Sequence, residues 1–333
     1  MKVADKDTLR VAVVGGGNIA QHHLKVLKEL PGVEVIALAD ADPQALRESA
    51  ERFSIPQRWP SHRHLLKEER PDAVFVLVSV GRVAEVAATF IREGIPTFLE
   101  KPPGLYAAHT RRLAELAGQR RTLAMVGVNR RFYSSLLRGR ELLLESGPVR
   151  SLAIEAHEDL ARVRGNPKWP AEVIRRWSAA NGIHALDLLR FFGGEVAQVQ
   201  VLRQAVEGPG PDCCAALIRF AQGAVGRALM DHFSPGGHRF EVRSLGATLT
   251  SEPGFAAAVL QRRGAGPLRF EPDELDQRYK PGFFRQDQTF LECVRRNTAL
   301  PFPACGLEDA ARTMELIETI AGIAGEAPAF PEA

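Results

Sequence analysis

A run of apolar residues that breaks into glycines and then becomes amphipathic is the feature that most constrains this chain. The run over 9–14 predicts a buried parallel strand, and Gly15 predicts the start of a tight turn. A helix that begins at Asn18 or Ile19 and extends to about Leu30 follows the turn. Strand, turn and helix in this order are typical of an α/β protein, in which the N–H groups of the helix N-terminus lie at the carboxyl edge of a parallel sheet.

Gly15, Gly17 and Ala20 form the spacing GxGxxA within this segment. Gly15 permits the turn, Gly17 lets the backbone approach a pyrophosphate, and Ala20 lets the helix pack closely on the strand. A second apolar run, over 33–38, leads to Asp40, twenty residues after Ala20. A dinucleotide-binding fold uses a carboxylate at this place to accept hydrogen bonds from the adenosine ribose. These features together predict a dinucleotide site, against the alternative of a glycine turn in some other α/β protein.

Apolar strand runs alternate with helical patterns from residue 9 to about residue 128. The predicted strands are 9–14, 33–40, 73–79, 96–100 and 123–128. The predicted helices are 19–30, 43–52, 61–69, 83–93 and 107–120. This alternation predicts a doubly wound parallel sheet of the Rossmann type in a domain over 1–128, with its ligand site at the carboxyl ends of the strands.

Residues 129–333 are predicted to form a second, α+β domain. Its predicted strands are 149–157, 197–206, 213–220, 224–231, 238–244 and 247–251. Its predicted helices are 134–146, 182–192, 283–296 and 307–324. Gly223 and Gly246 mark turns between neighbouring strands, which favours a large, mostly antiparallel open sheet. One face of such a sheet packs on helices and the other must be solvated or paired, so we expect the sheet to mediate oligomerisation.

Composition and charge exclude several classes of protein. Of the 333 residues, 45% are hydrophobic and 25% are charged, which is ordinary for a globular protein. A net charge of +3 without a basic run predicts no nucleic-acid partner. The longest apolar runs, such as 73–80, are too short to span a bilayer, so no membrane partner is expected. The N-terminal segment is polar and of mixed charge, unlike a secretory signal, and we expect a cytoplasmic protein.

The sequence predicts no metal site. The cysteines lack the spacing of metal ligands and are expected to be reduced thiols; they stand at positions 213, 214, 293 and 305. The pairs His22–His23 and His62–His64 resemble metal ligands only superficially. The first pair lies on the helix after the glycine turn and the second near the start of another helix, so solvated or capping roles are expected for both.

The predicted strand over 96–100 ends in Glu100-Lys101-Pro102, which places a lysine at the carboxyl end of a central strand. With the glycine loop and Asp40, this motif resembles the glucose–fructose oxidoreductase, inositol dehydrogenase and MocA (Gfo/Idh/MocA) family. The similarity covers nearly the whole chain and extends through 126–132, 182–187 and 308–316. The resemblance implies an NAD(P)-dependent oxidoreductase acting on CH–OH groups of a sugar, polyol, sugar acid or nucleotide sugar held between the two domains. It also implies a homodimer or homotetramer.

The resemblance also implies roles for individual residues. Lys101 and His184 match the family's catalytic lysine and histidine. We assign proton transfer to His184 and substrate orientation to Lys101, although the two roles could be swapped. The implied cofactor contacts are Gly15, Gly17, Asn18, Ile19, Asp40, Ser79, Glu100 and Lys101. The candidate substrate contacts are Asn129, Arg130, Arg131, Arg176, Trp177, Asn181 and His184.

Some of these candidates have an equally simple structural alternative. The arginines could grip an anionic substrate or form salt bridges between the domains. Trp177 could pack against a sugar ring or fill the core. Asp187 lies near the same helix face as His184 and is treated as structural by default.

The chain departs from the family pattern at two places. Many catalytic members carry an aspartate four residues before the histidine, where this chain has Ala180 beside Asn181. The loop after the strand over 73–79 has Val-Gly-Arg at 80–82 in place of the family's Pro-Asn and histidine. The first departure leaves open a dinucleotide-binding sensor or regulator with little or no turnover. A third interpretation is the reduction of an imine or a polyene carbonyl, in which His184 would matter less.

Charge favours NAD over NADP as the cofactor. Asp40 repels a 2′-phosphate, and Ala41 beside it supplies no compensating cation. Arg47 lies a turn or more into the following helix, too far along to replace that cation.

Overall fold

The chain forms two compact units. The computed structural model describes residues 8–207, 210–255, 257–323, 325 and 327–330. The first unit comprises the described residues of 1–129, 278–312 and 327–333, and the second those of 130–277 and 313–326. The sequence placed all of 129–333 in one domain, whereas 278–312 packs with the first unit. Phe290 contributes to this packing, because its ring centroid lies 5.5 Å from that of Phe75 and 5.7 Å from that of Phe98 in the first sheet.

The regular elements are fifteen strands and eleven α-helices among the described residues. The strands are β1 (Leu9–Val14), β2 (Val33–Ala39), β3 (Gln57–Trp59), β4 (Ala73–Val76), β5 (Thr97–Glu100), β6 (Ala124–Gly127), β7 (Ser151–His157), β8 (Val196–Gln204), β9 (Cys213–Phe220), β10 (Val225–Asp231), β11 (His238–Ser244), β12 (Ala247–Ser251), β13 (Ala258–Arg262), β14 (Leu268–Phe270) and β15 (Cys305–Gly306). The helices are α1 (Asn18–Glu29), α2 (Pro43–Arg52), α3 (His62–Glu68), α4 (Val83–Arg92), α5 (Ala107–Arg120), α6 (Ser134–Leu144), α7 (Ala171–Arg175), α8 (Ile183–Gly193), α9 (Glu274–Arg278), α10 (Phe283–Arg296) and α11 (Leu307–Ala321).

The first unit contains a seven-stranded sheet in the order β15-β6-β5-β4-β1-β2-β3. Neighbouring strands are parallel, except that β15 runs antiparallel to β6. The central strands β4, β5 and β6 are buried at every position, as expected for short apolar runs covered by helices on both faces. The predicted doubly wound sheet is confirmed. The sequence missed the two edge strands, because β3 is largely exposed and β15 has only two residues.

The second unit contains an eight-stranded sheet in the order β14-β13-β12-β11-β7-β10-β9-β8. All neighbours are antiparallel except β7 and β10, which run parallel, so the predicted mostly antiparallel sheet is confirmed. Gly223, at φ +88°, and Gly246, at φ +79°, turn the chain between β9 and β10 and between β11 and β12. Helix α8 packs against β7 on one face. The strands β13 and β14 lie in a segment for which the sequence predicted no element.

Candidate functional site

Gly15 closes the turn between β1 and α1. Its φ of +103° lies in the region that favours glycine, and a Cβ atom there would lie 2.4 Å from the carbonyl oxygen of Leu77. Leu77 is held in this place because its N–H donates to the Val14 carbonyl at 2.7 Å. A side chain at position 15 would therefore force two neighbouring segments apart.

Hydrogen bonds from three directions fix the backbone of Gly16. Its N–H donates to Asp40 Oδ2 at 2.6 Å, and its carbonyl accepts from Ser49 Oγ at 2.7 Å and Gln21 Nε2 at 3.2 Å. Asp40 Oδ1 accepts the N–H of Asp42 at 2.8 Å. The structure thus places the Asp40 carboxylate against the glycine loop. Ser49 and Gln21 were not predicted, although Ser49 is a small polar residue on the buried side of α2.

The first turn of α1 opens toward solvent. Within the described part of the chain, no side chain caps this helix, and a Cβ atom on Gly17 would meet nothing within 4 Å. Gly17 and Asn18 are exposed, and Ile19 is half-buried. The N–H groups of the first turn and the positive end of the helix dipole therefore face open space beside the Asp40 carboxylate, which fits the pyrophosphate and ribose of a dinucleotide.

Ser79 lies beyond the end of β4, two residues after Leu77 and exposed. Its carbonyl accepts the N–H of Arg82 at 2.8 Å and begins a short 3₁₀-helix over Val80–Arg82. The Arg82 guanidinium lies 2.8 Å from a Glu85 carboxylate oxygen, so it forms an ion pair on the surface of the first unit.

Glu100 and Lys101 lie at the end of strand β5, at the carboxyl edge of the first sheet. Glu100 is buried, and its Oε2 accepts the N–H of Lys101 at 3.2 Å. Gly127 on the adjacent strand leaves room for Glu100, because a Cβ atom there would lie 3.1 Å from Glu100 Oε1. Lys101 is half-buried, and its peptide bond to Pro102 is cis.

Parallel strands bring these residues together. The segments after β1, β2, β4 and β5 all leave from the carboxyl edge of the sheet, where ligands bind in open α/β proteins. This edge holds every residue for which the sequence predicted a cofactor contact: Gly15, Gly17, Asn18, Ile19, Asp40, Ser79, Glu100 and Lys101.

His23 on α1 contradicts the expectation of a solvated or capping role. It is fully buried, with Nδ1 2.8 Å from Asp287 Oδ2 and Nε2 3.3 Å from Glu100 Oε1. The sequence carried a signal for this burial, since His23 shares the helical face of Ala20 and Leu27, which are also buried. Its partner Asp287 lies 264 residues away, which no local pattern reveals.

In the second unit, His184 lies in the first turn of α8 and is half-buried. A π-helical turn over Ser178–Gly182 precedes it and carries Asn181, which is half-buried, and Ala180, which is buried. Three of the predicted substrate contacts in this unit keep partial exposure: Arg130, Asn181 and His184.

Glu158, which directly follows β7, accepts hydrogen bonds around this turn. Trp177 Nε1 donates to it at 3.1 Å, Asn181 Nδ2 at 2.7 Å and His238 Nε2 at 2.8 Å. Burial alone would raise the pKa of Glu158, but these hydrogen bonds hold it below its usual value. Arg130 Nη1 lies 2.7 Å from His238 Nδ1. A guanidinium only donates, so Nδ1 is the acceptor and the His238 proton is on Nε2.

Two arginines that were candidates for substrate contacts form ion pairs in the interior of the second unit. Arg131 is buried, and its Nε and Nη2 donate to the Asp187 carboxylate at 2.7 and 2.6 Å. Thr313 Oγ1 donates to the same carboxylate at 3.1 Å. Arg176 is buried and pairs with Glu318. Both guanidinium groups thus form ion pairs with carboxylates of the second unit. Asp187 has the structural role that was expected of it.

Three further candidates are held by neighbours in their own unit. Asn129 is buried in the first unit, and its Nδ2 donates to the Pro281 carbonyl at 3.0 Å. Trp177 is buried and meets Trp169 edge to face, with ring centroids 5.2 Å apart, so it fills the interior. The Arg130 guanidinium lies 4.3 Å from the ring centroid of Phe255, and burial lowers its pKa to about 10.

The described residues include no group of three or more histidine, cysteine or acidic side chains that could hold a metal ion. Over the same part of the chain, every helix is too short or too polar to cross a bilayer.

Comparison with protein-family models gives two matches. Residues 9–128 match the model of an oxidoreductase family with an NAD-binding Rossmann fold, and residues 147–249 match the GFO/IDH/MocA C-terminal domain. The two matches lie one after the other and together take in most of the chain.

Known proteins give the same result. Myo-inositol 2-dehydrogenase of Thermotoga maritima is 24% identical over 314 residues, which is 86% of this chain and 88% of the relative. Inositol 2-dehydrogenase of Acidothermus cellulolyticus is 28% identical over 232 residues, 67% of this chain and 66% of the relative. The fold is shared with an oxidoreductase from Agrobacterium radiobacter, solved with NAD+, L-tartaric acid and magnesium. That structure has a TM-score of 0.78 and 18% identity, over 93% of this chain and 94% of the other.

Proposed function

Because the chain belongs to the GFO/IDH/MocA family of NAD-binding oxidoreductases, we propose that it transfers a hydride between NAD and a secondary alcohol or ketone of a sugar, polyol, sugar acid or nucleotide sugar. One observation carries the proposal. The uncapped N-terminus of α1, the Asp40 carboxylate and the Glu100–Lys101 segment all lie at the carboxyl edge of one parallel sheet. Relatives named inositol dehydrogenases support an alcohol group on a carbohydrate-like ring as the substrate.

Asp40 supports NAD rather than NADP. Its oxygens accept the N–H groups of Gly16 and Asp42, and each carboxylate oxygen keeps a second lone pair for a ribose hydroxyl. A 2′-phosphate in the same place would meet a negative charge, with no cation from Ala41 to offset it.

The residues that would hold the cofactor are those at the sheet edge. The N–H groups of Asn18 and Ile19 would face the pyrophosphate, with Gly17 leaving room for its approach. A bound nicotinamide would supply the acceptor or the donor of the hydride. Lys101 donates a hydrogen bond to the substrate oxygen and stabilises negative charge on it. His184 takes the hydroxyl proton in oxidation and returns it in reduction, because an imidazole can act as a general base and its conjugate acid as a general acid.

The open face of the second sheet supports self-association. Leu202 is 80% exposed and Leu217 is 64% exposed, and Val225 and Leu229 on β10 are also exposed. Apolar side chains in neighbouring strands favour a contact with a second copy of the chain, as a homodimer or homotetramer. Leu217→Glu should shift the protein to monomers in sedimentation velocity. An unchanged sedimentation coefficient would place the contact elsewhere.

NADH formation across a panel of polyols, aldoses, sugar acids and UDP-sugars tests the reaction. Lys101→Met and His184→Asn should each lower kcat by about 100-fold or more on the substrate that the wild type uses, with NAD affinity nearly unchanged. Turnover by both variants at the wild-type rate would remove these two residues from the mechanism. Tight NAD binding with no turnover on any substrate would instead favour the sensor or regulator.

A further inference from the structure

The first unit contains a charged cluster in its interior, formed by His23, Asp287 and Glu100. His23 and Asp287 are fully buried, and their shortest contact is 2.8 Å. His23 Nε2 lies 3.3 Å from Glu100 Oε1, on the side of the ring opposite Asp287. The cluster therefore joins α1, which follows the glycine turn, to α10 and to the end of β5.

Aromatic rings enclose the imidazole. The ring centroids of Phe283, Phe98 and Phe75 lie 4.6, 5.2 and 5.7 Å from that of His23. In such an apolar setting two carboxylates are stable only beside a compensating cation. Protonated His23 supplies it, because both ring nitrogens then donate, one to Asp287 and one to Glu100.

The pKa shifts agree with this geometry. Burial disfavours the imidazolium, but the carboxylates of Asp287 and Glu100 outweigh it and raise the pKa of His23 to about 9. Burial raises the pKa of Asp287 to about 6, although His23 opposes the rise. Lys280 faces Glu100 from the segment before α10, and His22 is the titratable neighbour of His23 on α1. At neutral pH the cluster thus contains His23 as a cation, in contact with Asp287 and Glu100.

We propose that His23 and Asp287 are positioning residues for Lys101. The imidazolium donates to Glu100 Oε1 and thereby orients the carboxyl group, and Glu100 Oε2 in turn accepts the N–H of Lys101 at 3.2 Å. The backbone from which the Lys101 side chain extends is therefore fixed by a network that starts on the helix of the glycine turn. The inference rests on the proposed role of Lys101 in hydride transfer. Its alternative is an ion pair that only attaches α10 to the rest of the unit.

A double-mutant cycle distinguishes the positioning role from an ion pair that is only structural. Asp287→Asn keeps the size of the side chain and one hydrogen-bond acceptor but removes the charge that retains the proton on His23. It should lower kcat by about tenfold to 100-fold, as expected when a reacting group is displaced by about an ångström, while KM and the Kd of NAD change by less than about twofold. In a Lys101→Ala background the same substitution should have no further effect on kcat. Asp287→Glu, which keeps the charge, should restore part of the loss.

Tyr279→Phe is the matched control. Tyr279 Oη donates to Glu29 Oε2 at 2.6 Å, so it also ties the end of α1 to the segment that leads into α10, without contacting Glu100. This variant should lose stability without losing kcat. If Asp287→Asn does not fold, His23→Gln tests the same network with a neutral donor. Equal fractional losses of kcat in the wild-type and Lys101→Ala backgrounds would overturn the proposal.

Amide exchange at Lys101 gives a readout that does not depend on turnover. In protein labelled with ¹⁵N-lysine, the Lys101 resonance is identified by its loss in Lys101→Ala. Asp287→Asn should speed exchange of this N–H by about tenfold or more, and Tyr279→Phe should not. Unchanged exchange would overturn the positioning role. If the wild type turns over no substrate, the proposed function fails, and the exchange rates still decide the proposal.

Discussion

Raising the pH from about 6.5 to above 9 should destabilise the first unit through His23. The folded protein holds a proton on this buried imidazole up to a pKa of about 9, whereas the unfolded chain releases it near 6.5. The stability that the proton contributes is fully present below about pH 6.5 and is lost as the pH rises to about 9. This difference in pKa corresponds to about 3 kcal/mol of unfolding free energy.

Urea titrations followed by circular dichroism measure this loss, at intervals from about pH 6 to about pH 9.5. Other groups titrate in the same range. The contribution of His23 is therefore the loss of unfolding free energy in the wild type minus the loss in a variant without the His23–Asp287 charge pair. His23→Asn combined with Asp287→Asn replaces the pair by two amides. The wild type should lose about 3 kcal/mol more than this double variant over the interval.

Parallel pH profiles in the two proteins, within about 0.5 kcal/mol, would refute the reasoning. Such a result would mean that His23 is neutral in the folded protein at neutral pH. Asp287 would then be ionised beside the neutral imidazole, since a proton on either group would give the same loss of stability with pH, and the cation between two carboxylates would not exist. The pKa of His23 measured by NMR would distinguish these states directly.

Three other substitutions test the site and its support. Gly15→Ala should destabilise the first unit by about 2 kcal/mol or more in urea, because its φ is +103° and a Cβ atom would lie 2.4 Å from Leu77; wild-type stability would contradict this. Asp187→Asn should lower the free energy of unfolding by about 3 to 5 kcal/mol in thermal unfolding, since it leaves the Arg131 charge buried without the Asp187 carboxylate. A loss below about 1 kcal/mol would show that the folded protein does not need this ion pair. Asp40→Ala should weaken NAD binding by about tenfold to 100-fold in calorimetry while NADP binding is kept or improved; equal losses for both would remove Asp40 as the selective residue.

Much of the first unit could be predicted because its local patterns and its tertiary structure agree. Strands such as β1 and β4 are apolar runs between amphipathic helices. Nearly continuous apolar runs are typical of parallel strands that helices cover on both faces. The glycine spacing and Asp40 therefore predict which edge of the sheet would hold a dinucleotide. The short edge strand β3 gave no such signal, since its residues are mostly exposed.

The roles of charged and polar side chains were harder to predict. Arg131 and Arg176 were predicted either to contact a substrate or to form salt bridges between the domains, and both are buried against carboxylates of their own unit. A guanidinium that binds a ligand and one that binds Asp187 look the same in sequence. The difference is set by which carboxylate the fold brings within hydrogen-bonding distance.

The sequence by itself determined the α/β architecture, the glycine turn, the acidic residue after β2 and the lysine after β5, because periodicity and spacing act over a few residues. Tertiary structure alone decided which polar groups meet. His23 and Asp287 are 264 residues apart and become partners only when α10 packs with the first unit. Burial then decides their charge, because a carboxylate and an imidazole removed from water are stable as ions only in contact with each other.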